Sequence, residues 1–251
     1  MKNVERALLI ALVLSGVVGA VAPERALTQD DPCSSTYRMT ERQKLHGTLL
    51  KEYLLGSNKN LCRLAANARE PVVVAVAGVR ELPARSPAPE GYPDWFLRVF
   101  VHEADAVVVG VARSSSSTLV EDGSFIFTDV QVEVQEVLKD NPAAHIGPAM
   151  EITVTRPGGR LVLKGKQVRA EDADFKPFNE GGRYVLFLQF IRESGAYRAF
   201  SERSFELVPR GVAKLTGNTG LVLPQSHSDP EAFLSEIRAA VVLATTWGTG
   251  Q

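Results

Sequence analysis

The chain is poor in the residues that build reactive centres. Its 251 residues include two cysteines and four histidines. Cys33 and Cys62 do not form a Cys-x-x-Cys pair, which argues against a thiol-exchange centre. His46, His102, His145 and His227 stand far apart in the sequence. His102-Glu103 is followed by Ala-Asp-Ala and lacks the second histidine of H-E-x-x-H, so no metal-ligand spacing is present. His102 reads as a helix-end residue, and His145 and His227 read as solvated loop residues. No G-x-S-x-G surrounds any serine. Gly158-Gly159 and Gly181-Gly182 are turn glycines, because neither follows a strand and opens a helix as a phosphate cradle does. From these absences no catalytic residue, cofactor or metal site is expected.

Charge of one sign is also lacking. The formal net charge is −1. Removing residues 1–22 takes away Lys2, Arg6 and Glu5 and leaves a slightly acidic balance. Such a surface argues against nucleic acid or an anionic membrane as the main partner. Long apolar runs are missing too, with one exception at the N-terminus. Lys2 and Arg6 precede the uncharged segment Ala7–Ala22, which ends in small residues, and residues 1–22 therefore read as an export signal. Cleavage after Ala20 or after Ala22 fits, and an uncleaved anchor is the alternative, although the run is short for a spanning helix. No membrane span is expected after cleavage. The protein is expected to be secreted or periplasmic. In that oxidising setting Cys33 and Cys62 are expected to form one structural disulfide.

What is present is packing material. The hydrophobic fraction is 45 %, ordinary for a globular core. Residues 23–93 read as an N-terminal helical region with a proline-rich linker. Thr40 and Gln43 make a capping box, and Leu45, Leu49 and Tyr53 with Leu50 and Leu54 supply a helical face that Gly56 stops. A short helix follows at 61–68. The run Val72–Val79 is β-branched on both parities and reads as a buried strand. Four prolines between Leu82 and Pro93 bar regular structure there.

Residues 94–244 read as a small β-barrel domain with a C-terminal docking helix. Asp94 caps a helix that carries Trp95, Phe96, Val99 and Phe100. Three strongly β-like segments lie at 104–112, 125–139 and 182–190. In the second, the apolar set moves from Phe125 and Phe127 to Val130, Val132 and Val134, then to Val137. Each parity slip implies a bulge, one near Thr128–Asp129 and one near Gln135–Glu136. Ser114–Ser117 reads as a loop between strands. Weaker strands lie at 150–155, at 161–163 and 167–169 around a Lys164-Gly165-Lys166 hairpin, and at 196–200, 205–208 and 212–215. Glu171, Asp172 and Asp174 lie in an acidic loop without the glycine and full ligand set of an EF-hand. Arg183–Phe190 is apolar on both faces and reads as a central strand. Asp229, Pro230 and Glu231 start the last helix, whose stripe is Phe233, Ile237, Ala240, Val241 and Ala244. Residues 245–251 read as frayed.

The order of these marks brings a family into view. Ala104-Asp105-Ala106 opens a valine strand, Val130-x-Val132-x-Val134 runs into Val137-Leu138-Lys139, and Gly182-Arg183-Tyr184 opens the closing strand. Over residues 94–208 this resembles the netrin-like domain, the OB-type barrel of tissue inhibitors of metalloproteinases and of many exported bacterial proteins. The resemblance implies a mainly β fold, a small OB-like antiparallel barrel with flanking helices. It also implies protease inhibition as one function. Those inhibitors present an N-terminal cysteine in a Cys-x-Cys context, whereas Cys33 is followed by Ser34-Ser35, so the inhibitory residues do not carry over. The leading expectation is a non-enzymatic exported protein that binds another protein or a surface polymer. A netrin-like protease inhibitor is the second reading. An enzyme with an unfamiliar site, using the acidic loop around Asp172, is the third.

Overall fold

The computed structural model describes residues 31–34, 36–51, 60–76, 95–172, 175–209, 211–215 and 229–247. The expected signal segment, Tyr53, Leu54, Gly56, residues 77–79, the proline-rich linker, Asp94, Asp174 and His227 lie outside the described residues. Residues Asp31–Gln251 pack as one compact unit. The fold is mainly β. The described residues contain helices α1 (Glu41–Lys51), α2 (Leu61–Asn67), α3 (Trp95–Glu103) and α4 (Pro230–Trp247). The strands are β1 (Val72–Val76), β2 (Ala106–Leu119), β3 (Ile126–Lys139), β4 (Glu151–Pro157), β5 (Gly159–Leu163), β6 (Lys166–Asp172), β7 (Arg183–Ile191), β8 (Ala196–Arg198), β9 (Ser204–Val208) and β10 (Gly211–Lys214).

The large sheet runs β10-β9-β7-β2-β3-β4-β8, and β8 also pairs with β7. That extra pairing closes β2, β3, β4, β8 and β7 into a ring with an OB-like strand order. The ring is antiparallel apart from the closing pair β4–β8, which is parallel. Side chains alternate across it with period two. Ala106, Val108, Tyr184, Leu186 and Leu188 point inward with Val130, Val132, Val134, Ile152 and Val154. Val107, Val109, Val185 and Phe187 point outward, where Leu97, Phe100 and Val101 of α3 and Phe233, Leu234 and Ile237 of α4 cover them. The expected central strand is therefore β7, buried on both faces.

The expected bulge at Gln135–Glu136 is present: Val109 pairs with Glu136 and Gly110 with Val134, which leaves Gln135 unopposed. A second bulge leaves Leu138 unopposed. The bulge expected at Thr128–Asp129 is absent from β3. The slip falls on the partner strand at Arg113, between Ala112 and Ser114. The parity of Phe125 and Phe127 needs no bulge because this end of β3 is buried on both sides.

The second sheet, β1-β6-β5, joins a parallel pair to an antiparallel hairpin. Lys164 and Gly165 both take positive φ, 50° and 71°, which is the two-residue hairpin turn that a glycine favours. β1, which precedes the expected boundary at 93/94, pairs with β6, which follows it. β1 is an edge strand buried on one face only, with Val73 turned outward, and so differs from the fully buried strand expected. Its inner residues join α1, α2 and the start of β3 in a separate core containing Leu50, Leu61, Phe125, Phe127 and Val168.

The helix starts follow their chemistry. Thr40 N donates to Gln43 Oε1 and Gln43 N donates to Thr40 Oγ1, a reciprocal capping box. Asp229 accepts from Glu231 N at the start of α4. α4 continues to Trp247, past the point where fraying was expected. Lys139 caps the far end of α3 by donating to the carbonyls of Val101 and Ala104. Among the described residues no helix is long and apolar enough to cross a membrane.

Candidate functional site

The expected disulfide is formed: Cys33 and Cys62 are joined, with Cα atoms 5.6 Å apart. It ties the segment before α1 to α2. The preceding turn is held as well, because Asp31 accepts from Cys33 N and pairs with Lys164 of the β5–β6 hairpin. The Cys33 N–H is the main reason the Asp31 carboxyl lies below its ordinary pKa.

Ser114–Ser117 do not form a loop. They lie within β2, opposite Gln131, Val130, Asp129 and Thr128. Small hydroxyls suit this stretch because it faces solvent rather than core. Ser117 alone among them is engaged: its hydroxyl meets Thr128 Oγ1 at 3.0 Å and accepts from Arg160 N. The acidic loop is likewise partly strand, since Glu171 and Asp172 belong to β6 and Glu171 pairs with Arg169. Among the described residues no group of three or more His, Cys, Asp or Glu could hold a metal ion. His145 is exposed and bonds Asp140 at 2.5 Å. His102 lies in the last turn of α3, as expected.

Two buried polar side chains, Arg156 and Tyr184, lie in the barrel. Arg156 lies over the Phe175 ring and donates to the Phe175 carbonyl. Burial lowers its pKa to about 10, which still leaves it charged at neutral pH. The Tyr184 hydroxyl accepts from Asn179 N at 2.7 Å and lies 3.3 Å from Glu206 Oε1. Burial raises its pKa to about 12.

The fold assembles one cluster that the sequence did not suggest. His46 on α1 is fully buried, at 0 % exposure. Its Nδ1 lies 2.9 Å from Asp129 Oδ1 on β3, and its Nε2 lies 2.9 Å from Ser194 Oγ in the β7–β8 turn. A carboxylate only accepts, so Nδ1 carries the proton in the neutral ring. Nε2 is then an acceptor for the Ser194 hydroxyl. An edge contact with Phe127 fixes the ring plane. Ser194 Oγ also accepts from Ala196 N at 3.3 Å. The turn is closed by Ser194 N and Gly195 N, which both donate to the Ile191 carbonyl, at 3.2 and 2.9 Å.

The cluster depends on how α1 is rotated. The buried face of α1 is His46, Gly47 and Leu50, whereas Leu45 and Leu49 lie to its side. Spacings of three and four residues from the capping Gln43 through His46, Gly47 and Leu50 could have marked that face. No spacing could have joined His46 to Asp129 and Ser194, which are 83 and 148 residues away. Chemically the three form a hydroxyl, a base and an orienting carboxylate in hydrogen-bonded series. The chain matches no family model and no curated protein.

Proposed function

We propose that the protein acts outside the cytoplasm as a binding protein and that its contact surface is the outer face of β1-β6-β5. One observation carries this reading: Val73 and Val162 are 59 % and 63 % exposed on that face. Exposed β-branched side chains on a sheet face offer apolar area that a partner can bury. Register places Val73 opposite Arg169, which pairs with Glu171 and lies between Val73 and Arg160, and places Val162 opposite Gln167. Apolar side chains bordered by arginines suit a protein that presents apolar groups next to carboxylates, and suit a polar polymer less. The Cys33–Cys62 disulfide supports a secreted or periplasmic setting.

The netrin-like kinship is part of the same proposal, supported by the order of the ring. The inhibitor role that this resemblance implies is the second reading, and Cys33, followed by Ser34-Ser35, lacks the Cys-x-Cys context it calls for.

Site-specific photo-crosslinking in the native envelope or secretome tests the binding role. A crosslinker placed at Val73 or Val162 is expected to trap one defined protein. The same group at Ser115, an exposed position on the other sheet, is expected not to trap it. Equal trapping at all three positions, or none at any, would remove this reading.

A further inference from the structure

We propose that Ser194 is a general-base-activated nucleophile that accepts an acyl group from an ester. This goes beyond a binding role and does not rest on it. The argument comes from geometry. Ser194 Oγ and His46 Nε2 are 2.9 Å apart, within reach for proton transfer. Asp129 lies at the same distance on the opposite side of the ring, where it holds the required tautomer and stabilises the imidazolium that forms. The base and its orienter sit on a packed helix and on a barrel strand, which fixes their positions. Ser194 lies in a tight turn with intermediate exposure, between the exposed Glu193 and Gly195, and the proposal places a small ester against this turn.

In the step, Ser194 Oγ adds to the ester carbonyl carbon while its proton passes to His46 Nε2. The bond from carbon to the leaving oxygen breaks, that oxygen takes the proton, and an acyl-serine remains. The same turn sets the scope of the reaction. Its Ser194 and Gly195 N–H groups are already engaged by the Ile191 carbonyl, so they do not serve a developing oxyanion. One such donor is worth about 100- to 1000-fold in rate. The acceptor is therefore suited to activated esters with good leaving groups, and release of the acyl group is slow. The site labels itself about once per chain and does not turn over rapidly.

The test is incubation of the exported, disulfide-bonded chain with p-nitrophenyl acetate. A p-nitrophenolate burst of about one equivalent is expected, with the acetyl group located on Ser194 by peptide mass spectrometry. Ser194→Ala is expected to remove the burst and keep the native circular-dichroism spectrum. Asp129→Asn is expected to slow the burst by about 100-fold or more. Should Asp129→Asn melt below the assay temperature, the comparison of Ser194→Ala with the parent decides alone. No acetyl group on Ser194, or acetylation spread over Ser114–Ser117 at an equal rate, overturns the proposal and leaves His46 as a clip that holds α1 to the barrel. A burst that survives at full rate in a folded Asp129→Asn overturns it as well.

Discussion

Gly47 on α1 packs directly against Val120: a Cβ on residue 47 would lie 2.8 Å from Val120 Cγ1. Helix propensity alone favours alanine over glycine by about 1 kcal/mol. Here the added carbon has no room, and overpacking costs about 1–3 kcal/mol. Gly47→Ala is therefore expected to destabilise the protein. Urea denaturation at neutral pH checks this; a rise in midpoint would mean that α1 is not seated on the barrel as described.

The disulfide closes a loop with a sequence separation of 29. In the chain-entropy account this contributes about 3–4 kcal/mol. Replacing both cysteines by alanine is expected to lower the melting temperature and to raise hydrogen exchange first in α1 and α2. Exchange that rose equally in β7 would show that the link supports the whole fold instead of its N-terminal layer.

Ser117 and Ser115 are two residues apart on one strand and differ in their bonding. Ser117 Oγ serves both Thr128 Oγ1 and Arg160 N, whereas Ser115 is exposed. Ser117→Ala is expected to cost about 1 kcal/mol, since it strands a backbone donor at the junction of the two sheets. Ser115→Ala is expected to stay within about 0.5 kcal/mol of the parent. Paired urea titrations read the difference, and equal effects would contradict the strand placement.

Tyr184 carries a prediction about alkaline pH. Its folded-state pKa is raised from 10.0 to about 12, chiefly by burial. A raised value means the folded state keeps the phenol proton longer than the unfolded chain. The contribution is thus fully present below pH 10 and is lost as pH climbs toward 12. Tyr184→Phe removes a hydroxyl bonded to Asn179 N, at a cost of about 1–2 kcal/mol near pH 8. That cost is expected to shrink as pH rises from 10 to 12. Denaturation of both proteins at several pH values measures the gap, and a gap that widened would refute the sign.

Much of the architecture was legible because it rests on local pattern. The capping pair Thr40/Gln43, the Lys164-Gly165 turn, the double-faced β7 and the start of α4 each announce themselves within a few residues. Ser114–Ser117 misled because serine is a common loop residue. A strand whose outer face meets water tolerates it, and only the opposite strand reveals the pairing. β1 misled for the converse reason, since valine on both parities describes side chains and not the neighbours that cover them. The cluster at His46 was illegible because it depends on three long-range approaches at once: a helix rotation, a strand register and a turn. The disulfide, by contrast, was legible from an even cysteine count and the expectation of export.

The parallel β4–β8 pair has a consequence in time. Val154 can meet Tyr197 only after the whole intervening stretch has emerged, and Ala106 must likewise wait for Leu188. Partners so distant along the chain pay their closure entropy before packing rewards them. The β2-β3-β4 meander can pair early, whereas closure of the ring waits until the chain as far as Arg198 is available.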